Sequence, residues 1–551
     1  MLFDPHRAVC APTCPACPVG TVGAVGAAGG PRAAAGGVAM TLGRTRCVAL
    51  DGLDAAVVDV EADIVSGLPA FAIGGLPDAA CRQSSDRVKA AAANLGTSLA
   101  QRRITVNLSP AWLPKAGTVY DLGIALAVLA ADDQVPQAPI EDVVHIGELG
   151  LDGTIRPVRG VLPLVLGAVR NGHRVVVVPE ANAAEAALVS GVQVVPARSL
   201  AEVIGRYRRI AKKEPLEEEP VRPAGVPAPE RSRDLADIAG QPEARGALEV
   251  AAAGGHHLFL VGPPGAGKTM LAECLPGVLP PLDDAQALQV TAIHSILGAL
   301  HDGALVRRPP FVAPHHDASP VAIIGGGSGA VRPGLISKAH RGVLLLDEAP
   351  EFRRGVLQAL RQPLESGEVT VARARQSVRY PARFMLVLAA NPCPCGRAVG
   401  KAIACRCRPR EKRDYLARLG GPLLDRVDLR VCVDAVRLGD LSAPPGESTA
   451  VVADRVAQAR RLQAQRWAGQ RWSLNGEAPG PQLRSKRWAP PRAATADLDY
   501  ELETGALTLR GYDRVLRVAW TVADLRGADG PPTRDDIGQA ILLRGQDVTA
   551  A

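Results

Sequence analysis

The sequence predicts a multidomain α/β protein: an α+β amino-terminal domain, a core built on a parallel sheet, and a helical carboxyl-terminal domain. Three observations carry this prediction. Between 40 and 209, runs with two-residue alternation such as "VALDGLDAAVVDVEADI" are interleaved with helical spacing such as "DAACRQSSDRVKAAAANLG". Between 233 and 445, apolar runs without polar alternation, "HHLFLV", "GVLLLDE" and "FMLVLAAN", read as strands covered on both faces. From 446 to 551 the periodicity is helical throughout.

Composition sets the frame for these parts. The chain has 551 residues, enough for about three domains of ~150 residues. Hydrophobic residues make up 47% and charged residues 22%, and no window offers ~18 consecutive apolar residues, which excludes a membrane-spanning helical class. The eleven cysteines sit in irregular places with no secretory leader pattern, so the expected compartment is the reducing cytoplasm. A net charge of +7 is mild at this length, and where the charge sits matters more than its sum.

Residues 1–39 are rich in Gly, Ala and Pro and carry no periodic pattern, so they are expected to be disordered; patterned sequence starts abruptly at Met40, as if translation began there. Within 40–209, "RRITVNLSP" reads as a strand, "YDLGIALAVLAA" as a buried helix and "HRVVVVPE" as a short buried strand. "VVHIGELGLDGTIRPV" reads as a hairpin turning at Asp152-Gly153. The mixture of prolines and charge blocks over 210–232 is linker composition.

The core opens with the most informative motif. The apolar run Leu258 to Val261 leads directly into Gly262-Pro263-Pro264-Gly265-Ala266-Gly267-Lys268-Thr269 and then into helical spacing, the strand-loop-helix context of a P-loop. Such a loop wraps triphosphate with backbone N–H groups, while the lysine reaches the β/γ-phosphates and the Thr hydroxyl holds Mg²⁺. That assigns ATP and Mg²⁺ as cofactors. The run "GVLLLDEAPEF" ends in Asp347, which would hold Mg²⁺ through water, and Glu348, which would orient or deprotonate the attacking water. The bland alternative for this pair is two acidic caps at a helix start. A third apolar strand ends at Asn391, whose side chain would meet the γ-phosphate.

Two arginines extend the set. "GPLLDRVDL" places Arg426 after a short helix, and a cation lent by a neighbouring subunit can raise phosphoryl-transfer rates by ~10³ to 10⁵. As a finger it implies a ring; read alone it would be a surface salt bridge. In the helical region, "STAVVADRVAQARRLQAQRW", "RGYDRVLRVAWTVADL" and "TRDDIGQAILLRG" form a lid-sized domain. Arg510, with Arg514 and Arg517 as rivals, is positioned to touch nucleotide there, against the alternative of solvated arginines on a helix face.

The long motifs "FVAPHHDASPVAIIGGGSGAVRPGLISKAHRGVLLLDEAPEF", "LRQPLESGEVTVARA", "NPCPCG" and "GPLLDRVDL" resemble the YifB/ComM group of magnesium-chelatase-like AAA+ ATPases, from Met40 nearly to the carboxyl terminus. The resemblance implies a Lon-protease-like (ribosomal S5 domain 2-like) α+β amino-terminal domain, an AAA+ P-loop core with an insert in its second helix, and a helical lid. It also implies hexameric rings that drive DNA branch migration during natural transformation, with Arg426 as the trans-acting finger and Arg510 as the second sensor. The Lon-type Ser/Lys dyad is not matched. Val119 stands about where the serine belongs, and Leu162 and Leu164 where lysines would fall, so peptidase activity is not expected.

Two further features bear on partners. Cys393, Cys395, Cys405 and Cys407 form two Cys-x-Cys pairs, tighter than the usual Cys-x₂₋₄-Cys of zinc sites. A structural Zn²⁺ site, a free or redox-sensitive cluster and disulfides all stay open. Arg406 and Arg408 interleave with the second pair, and "EVTVARARQSVRY" alternates like a hairpin carrying Arg373, Arg375 and Arg379. In insert-bearing ring helicases a hairpin here points into the channel, where these five arginines would meet DNA phosphates; solvated surface arginines are the alternative. Aromatic content of 3% argues against a stacking platform for single strands. The leading expectation is a ring-forming DNA motor. Its rivals are a chelatase-type motor that remodels a protein partner and an ATP-dependent protease.

Overall fold

The computed structural model describes residues 42–545, apart from 217–219, 226–232, 301–302, 328–330, 374–375 and 399–403. The segment expected to be disordered, residues 217–219 and 226–232 of the 210–232 linker, and Arg375 lie outside the described residues.

The amino-terminal part is built on seven strands: β1 (Gly43–Asp51), β2 (Asp54–Val65), β3 (Ala70–Gly74), β4 (Arg103–Ser109), β5 (Val144–His145), β6 (Val175–Pro179) and β7 (Gln193–Ala197), in the order β3-β4-β2-β1-β5-β6-β7. The long β1–β2 ladder is antiparallel and turns at Gly52-Leu53, and β2 pairs antiparallel with β4; the remaining neighbours run parallel. Helix α1 (Asp121–Ala131) lies against β1 and β2 with all of its residues buried, as its uninterrupted apolar composition requires.

The hairpin expected over 143–158 is divided between two places. Val144 and His145 join the main sheet in parallel between β1 and β6, and only Glu148–Leu149 pairs back on Ile155–Arg156 around Gly153. The alternation was real. A parallel slot on the sheet satisfied the first two residues better than the local turn did.

Helix α2 (Val161–Arg170) packs on the core helix Asp284–Leu297, so the two parts share one boundary. Its key polar group is Glu185, a buried carboxylate that accepts from the Leu162 amide at 2.9 Å, from Asn182 Nδ2 at 3.2 Å and from the Ser295 hydroxyl. A buried charge needs such a full set of donors.

The core follows as α3 (Pro242–Gly254), β8 (Leu258–Val261), α4 (Lys268–Val278), α5 (Asp284–Leu297), β9 (Phe311–Val312), β10 (Val343–Leu346), the hairpin β11–β12 (Glu368–Arg373, Gln376–Pro381), β13 (Met385–Ala390), α6 (Pro409–Ala417), α7 (Gly421–Leu424) and β14 (Leu429–Cys432). Its sheet, β9-β10-β13-β8-β14, is parallel throughout. Every residue of β8, β10 and β13 is buried, the outcome predicted by their apolar runs. Because the strands are parallel, all their carboxyl ends lie along one edge, the edge at which open α/β sheets bind ligands.

The helical part contains α8 (Thr449–Arg466), α9 (Arg492–Glu503), α10 (Leu509–Leu525) and α11 (Arg534–Arg544). The sequence reading missed α9, whose apolar positions are diluted by four acidic residues. Helix α8 packs on α3 and α4, and α10 packs on α3 and α11. Four of the five tryptophans are in this part, and three of them, Trp467, Trp488 and Trp520, stack in series with ring centroids 5.0 and 6.1 Å apart.

One buried ion pair joins the core to this helical part. Asp428, at the mouth of β14, binds Arg514 of α10 and lies 3.6 Å from His256. Burial opposes its charge, but the Arg514 guanidinium and the neighbouring histidine outweigh it and hold the carboxyl well below the usual range. Because the folded value is depressed, this contribution is present above the unfolded pKa and is lost as pH falls through the folded one. Asp428→Ala leaves the mostly enclosed Arg514 without its counter-charge and with only the Arg426 carbonyl as partner, and a loss of about 3–5 kcal/mol in urea unfolding is expected. A change under 1 kcal/mol would assign the joint to apolar packing instead.

Candidate nucleotide-binding site

The loop from Gly262 to Gly267 leaves β8 at the carboxyl edge of the parallel sheet, and α4 begins at Lys268. Gly267 has φ +91°, a left-handed conformation that a side chain would strain. This curl aims the amides at the start of α4 into the loop, where the helix dipole favours an anion.

Lys268 is nine-tenths buried, and burial lowers its pKa despite Asp347 and Glu348 nearby. Its Nζ donates to the carbonyls of Gly262 at 2.7 Å and Pro263 at 2.9 Å, and to Asn391 Oδ1 at 3.3 Å. Asn391 stands at the end of β13, next to β8 in the sheet, so the parallel order brings it to a lysine 123 residues away in sequence. Phosphate oxygens suit this ammonium better than carbonyls do, and the P-loop residues fit a triphosphate.

Thr269 Oγ1 donates to Asp347 Oδ2 at 2.7 Å. A hydroxyl and a carboxylate brought together form an oxygen set that would hold Mg²⁺. Glu348 is exposed and holds φ +50°, rare for a residue with a Cβ; Asp347 Oδ1 fastens the turn by accepting from the Glu348 amide at 2.9 Å.

The sequence reading passed over His316. Its Nδ1 lies 3.6 Å from Glu348 Oε2. The signal was available, because "HHD" follows the short strand β9, and residues following adjacent parallel strands meet at one edge.

Arg426 and Arg510 stand elsewhere. Both line a cleft of about 1020 Å³ together with His257, Gly342, Met385 and Asp428, residues at the amino ends of β8, β10, β13 and β14. A four-residue strand is roughly 13 Å long, so this cleft is separated from the chain's own P-loop by the depth of the sheet. Arg426 donates to the Pro422 carbonyl at 2.5 Å and pairs with Glu365. Among the three lid arginines, Arg514 is taken up by Asp428, and Arg517 is largely buried and donates to the Ala478 carbonyl at 2.8 Å, whereas Arg510 is exposed.

The remaining predicted residues divide into two groups. Cys393, Cys395, Cys405 and Cys407 come together with all four sulfur positions within 4.8 Å of one another. Arg406 and Arg408 are exposed beside them. The hairpin β11–β12 forms in the register Thr370 opposite Arg379, with Arg379 exposed and Arg373 at the strand end. The middle of its second strand rests against the β1–β2 turn: a Cβ on Gly52 would lie 2.8 Å from the Arg379 carbonyl.

Comparison with known proteins follows the same partition. Residues 60–182 match the family described as subunit ChlI of Mg-chelatase, residues 234–441 match magnesium chelatase subunit ChlI, and residues 446–544 match its carboxyl-terminal family. The chain is 51% identical over 513 residues to an uncharacterized protein of Mycobacterium tuberculosis, covering 92% of this chain and 99% of that one. It is 40% identical over 499 residues to the competence protein ComM of Haemophilus influenzae, covering 90% and 96%. To YifB of Escherichia coli it is 39% identical over 500 residues, again covering 90% and 96%.

Proposed function

The chain belongs to the YifB/ComM family of magnesium-chelatase-like ATPases, and from that premise we propose that it is a ring-forming, Mg²⁺-dependent ATPase that moves along or remodels branched DNA. The observation that carries the ring is the position of Arg426 and Arg510 on a cleft across the sheet from the chain's own P-loop. A guanidinium there serves phosphate only if a second copy presents its P-loop to that cleft. Turnover then divides between subunits. One supplies Lys268, Thr269, Asp347, Glu348 and Asn391; its neighbour supplies Arg426 as finger and Arg510 as sensor.

In this reading Glu348 accepts the proton of the attacking water, Asn391 holds the γ-phosphate beside Lys268, and Arg426 takes up charge developing on the transferred group. Mg²⁺, held by Thr269 and Asp347, would neutralise phosphate charge. The small antiparallel pair Gly325–Gly326 with Arg332–Pro333, between short helices at Pro320–Ile324 and Leu335–Lys338, supports an insert in the second helix of the AAA+ core. In the Lon-like amino-terminal domain, Leu162 and Leu164 are buried, which supports a packing role rather than proteolysis.

DNA as the substrate rests on the competence name of the ComM relative and on the exposed arginines Arg379, Arg406 and Arg408. Phosphate binding by such residues is sequence-independent and salt-sensitive. Forked or four-way DNA is expected to stimulate turnover, with the half-maximal DNA concentration rising at least tenfold between 50 and 200 mM salt, on the order of the counterion effect for several phosphate contacts. Equal turnover with and without DNA, and no binding of either structure, overturns the DNA reading.

A second reading is favoured by the family descriptions themselves, all of which name a magnesium-chelatase subunit. The motor would then remodel a protein that inserts a metal. Recovery of a large metal-binding partner on the immobilised chain, with no response to DNA, selects it.

A further inference from the structure

The four cysteines at 393, 395, 405 and 407 bear on the nucleotide site by a route that neither the ATPase chemistry nor the family descriptions supply. Cys393 and Cys395 sulfurs are 3.4 Å apart, and Cys405 sulfur is 3.7 Å from each. A disulfide requires about 2.05 Å. A tetrahedron of sulfurs at a Zn–S distance of 2.3 Å has edges of about 3.8 Å. All four ligand positions lie within 4.8 Å, a span that fits one metal ion. The Cys-x-Cys spacing, tight by the sequence rule, closes because the two pairs face each other across the intervening loop.

The surface around the cluster is cationic. Zn²⁺ with four thiolates carries two net negative charges, and Arg397, Arg406 and Arg408 are exposed around the cluster to offset them.

The loop is also tied to the phosphate loop. Gly396 has φ +73°, and a Cβ on it would come within 2.6 Å of Pro264 Cδ and Cγ. Two residues before Cys393, Asn391 bonds Lys268; beyond Cys407, α6 carries Tyr415, which meets the Asn391 backbone. The cluster therefore closes a loop whose two ends both rest on the nucleotide site.

We propose that Cys393, Cys395, Cys405 and Cys407 bind one structural Zn²⁺, and that this centre positions Asn391 and the Pro264 side of the P-loop. The positioning half rests on the nucleotide reading above; the metal half does not. Zinc binding releases the thiol protons and involves no change of oxidation state.

The test uses the full chain. Elemental analysis of the purified protein is expected to give one zinc per chain. Replacement by Co²⁺ is expected to give the thiolate charge-transfer and visible bands of a tetrahedral S₄ site. Cys395→Ser, at an exposed position, and Cys407→Ser each lower zinc affinity at least tenfold. Failure of zinc and cobalt alike to bind the reduced wild-type chain overturns the site, and iron in place of zinc overturns the choice of metal.

For positioning, ADP added to the cobalt protein is expected to shift the visible bands, and Lys268→Ala is expected to abolish the shift while keeping the metal. Cys395→Ser raises the KM for ATP more than it lowers kcat. Bands unmoved by ADP that a separate isotherm shows to be bound overturn the positioning role. An isotherm without binding overturns the nucleotide reading and with it the positioning role, and leaves the metal result standing on its own.

Discussion

Glu348→Gln is expected to stop ATP turnover while ATP stays bound. The substitution keeps the shape of the side chain and removes its basicity, and general-base catalysis of this kind is worth about 10² to 10⁴ in rate. Glu348 is fixed by a backbone at φ +50° and by the bond from its own amide to Asp347, so the amide variant should occupy the same place. The P-loop contacts of Lys268 and the Thr269–Asp347 pair do not involve its side chain. Steady-state turnover and retention of labelled ATP on the isolated protein together make the measurement. Full turnover in the variant would transfer the role elsewhere, with His316, 3.6 Å from the carboxylate, the next group to test.

The second large effect belongs to Arg426. Arg426→Ala is expected to lower turnover by about 10³ to 10⁵, the range found when a guanidinium is withdrawn from phosphoryl transfer. Simple loss of activity would not show where the arginine acts; mixing does. Lys268→Ala and Arg426→Ala chains are each inactive, yet in mixed rings some interfaces pair an intact P-loop with an intact finger, and turnover should return. In the isolated chain Arg426 pairs with Glu365, so engaging a neighbour's phosphate exchanges one anionic partner for another. Glu365→Ala should therefore leave most of the activity in place. Mixtures that stay silent, or a monomer fully active at high dilution, would return Arg426 to the surface salt bridge of the alternative reading.

Most of the candidate site was legible in the sequence because its parts are local. A P-loop is contiguous, and the strands that present Asp347 and Asn391 are apolar runs that announce both their burial and their ends. The rest was hidden by distance or by likeness. His316 and Glu348 are far apart in the chain and meet because β9 and β10 are neighbours. The first residues of the expected hairpin, Val144 and His145, went to a parallel slot that no local pattern encodes. Helix α9 escaped notice because a surface helix rich in acids has a weak apolar stripe.

By itself the sequence determined the chemistry on offer: a phosphate loop, an acidic pair, a polar strand end, four thiols and a surplus of arginines, each defined by residues close together in the chain. Tertiary structure decided which of the equivalent groups are available. Arg510, Arg514 and Arg517 are the same side chain on one helix and all border the cleft, yet Asp428 occupies one, the Ala478 carbonyl another, and only the third is exposed. The reason is physical: a guanidinium's role is set by its desolvation and its partner, and both are properties of the packed fold rather than of the residue.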